Sequence, residues 1–289
     1  MEDNKHDTIA GDVSRRDFTA LSVAAGLTVA AGSQAQAAMA VTESEVTIKT
    51  PDGTCDAAFI RPSSGKHPGV LIWTDIFGLR PTFRDMAKRL AGEGYSVLVP
   101  NPFYRTQKAP VIEDASKFDF AAPADQAKMK LWTTPINETG AIERDAAAYI
   151  GFLDKQKEVD TAKKIGTQGY CMGGPLVFKT AAAINSRVGA GATFHGGGLV
   201  TDKPDSPHRI LSPIKARLYF GHAVEDASAT PEQVATLEQA LRDWHGAFQS
   251  EVYDGARHGW TTPGRAVYNE LQAERAFEKL VELFDATLK

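Results

Sequence analysis

The sequence predicts an α/β fold in which residues 38–289 form a single domain, a mostly parallel eight-stranded sheet with helices on both faces. Two observations predict it. From residue 46 onward, apolar runs of strand length alternate with segments of helical period, the signature of repeated strand–helix–strand units. Composition agrees: of 289 residues, 43% are hydrophobic and 24% charged, while 25 Gly and 15 Pro are too few for a collagen-like or low-complexity chain.

The first 37 residues do not belong to this pattern. Ser14-Arg15-Arg16-Asp17-Phe18 precedes a nearly uncharged stretch from Thr19 to Ala31, and Ala35-Gln36-Ala37 closes the segment. A paired arginine, a short run of small apolar side chains and an Ala-x-Ala site are the parts of a secretory leader, here of the twin-arginine type. Its apolar part falls short of the roughly 20 residues that span a bilayer, so no stable membrane insertion is expected. The expected destination is the periplasm or the exterior. Net charge is −4, and without the leader 31 acidic residues face 29 basic ones. That balance excludes a polybasic nucleic-acid binder. Nothing in the sequence sets an oligomeric state.

The expected strands are Val46 to Thr50, Cys55 to Ile60, Gly69 to Thr74, Tyr95 to Pro100, Lys164 to Gln168, Gly189 to His195, Ala216 to Gly221 and Phe248 to Tyr253. No helix separates the first two, which should pair antiparallel at one edge. Helical periodicity marks residues 81–93, 139–155, 173–185, 231–245 and 265–287; in the last, Leu271, Phe277, Leu280, Val281 and Phe284 form the expected buried face. The polar stretch 107–127, with Pro110 and Pro123, reads as irregular, either a surface loop or a cover over a site.

Chemistry concentrates at Gly169-Tyr170-Cys171-Met172-Gly173-Gly174, directly after a strand and directly before a helix. A side chain on so sharp a turn needs a strained backbone, and strand and helix approach too closely for anything but Gly two positions to either side. Gly169 and Gly173 meet that demand. Cys171 then sits at a helix N-terminus, where backbone N–H groups and the dipole favour an anion. Cys55 lies mid-strand and reads as structural, and no disulfide is expected between an edge strand and the central turn.

A thiol nucleophile needs a base, and the base an orienting carboxylate. His222-Ala223-Val224-Glu225-Asp226 follows one later strand, and Asp254-Gly255-Ala256-Arg257-His258-Gly259-Trp260 follows the last. This gives Cys171, then an acid, then His258. Asp226 is the preferred acid and Glu225 the alternative, with His222 a neighbour. The order nucleophile–acid–histidine is that of the α/β-hydrolases. His195-Gly196-Gly197-Gly198 imitates an oxyanion-hole motif but follows the nucleophile, so it reads as a Gly-rich strand exit. The expected oxyanion donors are the N–H of Met172 and that of Ile76.

Together these residues resemble the dienelactone hydrolase family, the carboxymethylenebutenolidases, marked by Cys in place of Ser within G-x-C-x-G-G. The resemblance runs from about Val46 to the C-terminus. It includes Pro68-Gly69-Val70, Asp75-Ile76-Phe77-Gly78-Leu79, Arg84-Asp85, Arg89-Leu90, Gly94-Tyr95, Phe103-Tyr104-Arg105 and Gly255-x-x-His258-Gly259. It implies a serine-hydrolase-like mechanism run by sulfur on a small lactone or ester. Cys171 attacks the carbonyl, His258 moves the proton, Asp226 orients His258, and water releases the acid. It implies no metal and no organic cofactor. By the same resemblance Asp75 matches the acid that holds the resting thiol, and Arg105 an arginine that binds a substrate carboxylate. The family residue at the Asp75 position is commonly the longer Glu. Arg265, beyond Gly259-Trp260-Thr261-Thr262-Pro263-Gly264, is not matched to the second family arginine. Trp73, Phe77, Tyr104 and Trp260 read either as an aromatic pocket or as core. A second reading, motivated by Asp75 and the export leader, is an exported protein that binds ligands in a hydrolase-like pocket without turnover.

Overall fold

The computed structural model describes residues 38–289; the expected leader, residues 1–37, lies outside the described residues. Strands β1 (Val41–Thr50) and β2 (Gly53–Pro62) form a hairpin at one edge. β3 (Gly69–Trp73), β4 (Ser96–Pro100), β5 (Ile165–Tyr170), β6 (Val188–Phe194), β7 (Arg217–Ala223) and β8 (Phe248–Tyr253) complete an eight-stranded sheet of order β1-β2-β4-β3-β5-β6-β7-β8. β2 also pairs antiparallel with β4, and every neighbour from β4 through β8 is parallel. All eight expected strands are present.

The sheet is buried on both faces because alternate side chains of its central strands enter different cores. In β3, Leu71 and Trp73 join one cluster with α3 (Ala141–Leu153), α4 (Gly173–Ala183) and α5 (Pro231–Trp244). Val70 and Ile72 join the other, with α1 (Pro81–Gly92) and α6 (Glu270–Leu288). This period of two under helices on either side is what a doubly covered sheet requires. α6 starts at Glu270 rather than 265. Gly264 adopts φ +82°, and the Asn269 side chain accepts the Gln272 N–H as the cap.

One helix was not expected. α2 (Pro123–Ile136) begins within the stretch read as irregular. Pro123 suits its first turn, whereas Pro135 near its end and weak amphipathicity disguise it: Leu131 is exposed while Trp132 and Ile136 are buried. Trp132 joins Ile76, Phe77 and Phe103 in a satellite cluster at the sheet's carboxyl edge. Among the described residues no helix is long and apolar enough to cross a membrane.

Candidate active site

The turn after β5 has the strained geometry its sequence demands. Cys171 has φ +52°, unfavourable for any residue with a Cβ. The glycines explain how it is tolerated. A Cβ on Gly169 would lie 2.2 Å from the Gly173 carbonyl oxygen, and one on Gly173 would lie 2.4 Å from that of Trp73. Hydrogen bonds from Cys171 N–H to the Phe194 carbonyl (3.1 Å) and from Gly197 N–H to the Cys171 carbonyl (3.3 Å) tie the turn to the end of β6. The Gly-rich exit from β6 therefore braces the turn, and a Cβ on Gly174 would lie 2.7 Å from the Gly196 Cα.

His258, in the loop after β8, bonds Asp226 Oδ2 through Nδ1 at 2.6 Å and lies within electrostatic reach of the Cys171 sulfur. Burial opposes charge on the ring, but the carboxylate and the sulfur outweigh it and raise its pKa from 6.5 to about 10. Asp226, in the loop after β7, is buried. Burial works against its charge too, yet His258 and Ser228 lower its pKa from 3.8 to about 2. Glu225, the alternative acid, points to solvent with φ +52°. Ser228 was not singled out in the sequence. Its N–H and Oγ both donate to Asp226 Oδ1, at 2.8 and 2.6 Å, and Oγ lies 3.1 Å from His258 Nδ1. One carboxylate oxygen is thereby filled and the other turned to the imidazole. The Asp-x-Ser spacing, typical of an Asx turn, is the signal that could have revealed it.

The Met172 and Ile76 N–H groups make no hydrogen bond within the protein among the described residues, and the Gly173 Cα is pressed against the Trp73 and Thr74 carbonyls beside Ile76. Two unclaimed donors at the mouth of a strained turn suit a developing oxyanion. His222 lies on Ser250 (3.2 Å) and stacks on Phe220, a neighbour of the site.

Several expected contacts are not made. Asp75 gives both carboxylate oxygens to Arg80, at 2.6 and 2.8 Å, and accepts the Phe77 N–H at 2.9 Å. The short side chain folds onto its own loop instead of reaching the thiol. Arg105 is likewise committed: it grips the fully buried Asp145 bidentately at 2.8 and 2.9 Å and reaches Asp52 at 2.6 Å, so it is not free to receive a carboxylate. Tyr104 belongs to the same network, bonded to Thr50 and Asp145. Trp260 is core, fully buried and stacked on Tyr253 at 5.0 Å, and Trp73 is core too, donating to Thr180 Oγ1. Phe77, next to Ile76, is covered by Phe118 and Phe120 from the 107–127 stretch. Over its ring, at 4.8 Å, lies the guanidinium of Arg265, which has no ion-pair partner among the described residues. Cys55 is buried and bonded to Tyr149 and Asn101. Burial pushes its thiol up to about 12, and neither cysteine is in a disulfide.

The model of the dienelactone hydrolase family matches residues 55–288. The chain belongs to the dienelactone hydrolase family. A Synechocystis sp. protein provisionally assigned as a carboxymethylenebutenolidase is 29% identical over 228 residues, covering 78% of this chain and 88% of its own. The carboxymethylenebutenolidase of Rhodococcus opacus is 28% identical over 254 residues, covering 83% and 90%. A crystal structure from Klebsiella pneumoniae, provisionally assigned as a dienelactone hydrolase, superposes with TM-score 0.74 at 24% identity, over 85% of this chain and 99% of its own; that likeness concerns the fold. In this dienelactone hydrolase family member the sequence feature that looked like a decoy has acquired a place. His195, φ +42°, is buried with Nε2 at 2.8 Å from Thr261 Oγ1 and its ring edge-on to His258 at 5.0 Å. Burial first, and then the neighbouring His258, hold it well below 6.5 and therefore neutral.

Proposed function

We propose that this carboxylic ester hydrolase cleaves a lactone or small ester through Cys171, His258 and Asp226. The observation that carries the reading is the 2.6 Å hydrogen bond between Asp226 and His258 beside a sulfur mounted on a strained, glycine-braced turn. The Cys171 sulfur, its proton passed to His258, forms a bond to the carbonyl carbon as the carbonyl π pair moves onto oxygen, where the Met172 and Ile76 N–H groups receive it. Collapse of this adduct expels the alkoxide, which takes a proton from the His258 imidazolium. Neutral His258 then removes a proton from water, whose oxygen attacks the thioester. Expulsion of the Cys171 sulfur, with the proton left on His258, releases the carboxylic acid and returns the site to its starting state.

The names of the relatives point to dienelactone as substrate class, and the full chain assayed on a dienelactone, an aryl ester and a neutral lactone tests it. Cys171→Ala should lower turnover at least 10³-fold on all three while the Tm stays within a few degrees. An acyl adduct on the Cys171 peptide should be trapped by mass spectrometry. Turnover that survives the substitution rejects the thiol mechanism. Export is supported by Arg15-Arg16 and Ala35-Gln36-Ala37. Changing both arginines to lysine should retain the protein in the cytoplasm on fractionation, and unchanged export rejects the twin-arginine reading.

A further inference from the structure

A cavity of about 450 Å³ lies on the α1–α6 side of the sheet, and none of Cys171, Asp226, His258, Ile76 or Met172 lines it. Its walls are apolar: Met86 of α1, Phe194 of β6, and Ala276, Phe277 and Leu280 of α6. Its floor is polar. Gln168 of β5, 1% exposed, donates from Nε2 to Tyr170 Oη at 3.0 Å, and its Oε1 has no protein partner. Tyr170 also lines the cavity and keeps its own hydroxyl proton to donate. An acceptor and a donor are thus set side by side at the base of an apolar chamber, and a buried amide oxygen left unmatched is unfavourable.

Each charged side chain of the rim is paired with one of opposite sign. Arg89 of α1 and Glu274 of α6 pair at 2.5 and 2.6 Å, and Asp85 pairs with Lys88 at 3.1 Å. An ionised ligand would lose its hydration with no counter-charge to replace it. The volume lies in the range of small-molecule sites, ~300–1,000 Å³. The cavity is also separate from the reaction centre in chemistry. Thr261 forms part of its wall, with its hydroxyl turned to His195 rather than to the floor.

We propose that this cavity binds a small uncharged apolar molecule bearing one hydroxyl group, which donates to Gln168 Oε1, accepts from Tyr170 Oη–H and lays its hydrocarbon between α1 and α6. A hydroxyl is the smallest group that meets both demands at one atom. Thr261, three residues beyond His258, lies against such a ligand, so the occupied cavity touches the loop that carries the catalytic imidazole.

The test uses 2-naphthol as probe, with naphthalene and 2-naphthoate as controls, titrated by calorimetry into the full chain carrying Cys171→Ala. One saturable site is expected for 2-naphthol, with naphthalene and 2-naphthoate each at least fivefold weaker. Gln168→Met, close in volume but without the amide, should weaken 2-naphthol at least fivefold and leave naphthalene unchanged. Ala273→Leu, which fills the cavity from α6, should abolish binding of both. Wild-type protein alkylated at Cys171 with iodoacetamide should bind as the unmodified protein does. Absence of saturable 2-naphthol binding overturns the proposal, as does affinity indifferent to Gln168→Met or matched by 2-naphthoate. Binding blocked by alkylation of Cys171 would place the probe in the reaction centre and overturn it as well.

Discussion

At the scale of single residues, two arginines stand in settings that their sequence context does not show. Arg105 stands where the family resemblance puts a carboxylate receptor, yet its partners Asp145 and Asp52, 40 and 53 residues away, claim the guanidinium. No local pattern could have shown this, because the pairing exists only once α3 packs beside β1 and β2. Removing Arg105 leaves Asp145 fully buried without its counter-ion, so Arg105→Ala should cost about 3–5 kcal/mol of stability. Urea unfolding of the two proteins measures it, and equal midpoints would refute the structural role. Arg265 lies seven residues beyond His258, yet it stands over Phe77, the neighbour of Ile76, with no ion-pair partner among the described residues. Arg265→Ala should raise KM for an anionic ester about tenfold, the size of one charge-assisted hydrogen bond, while KM for a neutral ester and the Tm hold steady. A parallel rise for both esters would show that Arg265 only shapes the entrance.

At the scale of elements, sequence reading succeeded where a local rule is strict and failed where tertiary packing decides. Cys171, Asp226 and His258 were legible because each follows a strand end in a fixed chain order, and Gly169 and Gly173 because the turn admits nothing larger. α2 was not legible: Pro135 and the exposed Leu131 break the helical signal, and its place is set by Trp132 and Ile136 docking on neighbours distant in sequence. Ser228 and His195 escaped for the same reason, since what matters about them is their distance to His258. Two glycine substitutions separate the strict from the permissive. Gly173→Ala drives a methyl to 2.4 Å from the Trp73 carbonyl, so β3 and α4 must move apart. It should cost more than about 3 kcal/mol and most of the activity. Gly151, inside α3, has nothing within 4 Å of an added Cβ. Gly151→Ala should stabilise by about 0.5–1 kcal/mol through helix propensity alone. Denaturant midpoints of the two variants decide, and shifts of the same sign would contradict this division.

At the scale of the whole molecule, the alternation of strand and helix made the fold class legible, but not the strand order that brings Asp226 and His258 to the edge where Cys171 sits. Cys171 follows β5, Asp226 follows β7 and His258 follows β8, and the order β5-β6-β7-β8 lines their exits along one edge. Folding therefore creates the Asp226–His258 contact, and stability must depend on pH through it. The Asp226 carboxyl falls from 3.8 to about 2, so its contribution is present above 3.8 and is lost as pH falls through 2. The His258 ring rises from 6.5 to about 10, so its contribution is complete below 6.5 and is lost as pH rises through 10. The pair thus stabilises fully only between about pH 3.8 and 6.5. Cys55, pushed by burial from 9.0 to about 12, adds a loss above pH 9, but that loss is common to any variant that keeps it. The Tm difference between wild type and Asp226→Asn isolates the pair. It should be greatest near pH 5, shrink as pH rises from 6.5 toward 10, and shrink again below 3.8. A difference that stays constant from pH 3 to 10 would mean that the contact contributes no proton-linked stability, and that the imidazole pKa is not raised in solution.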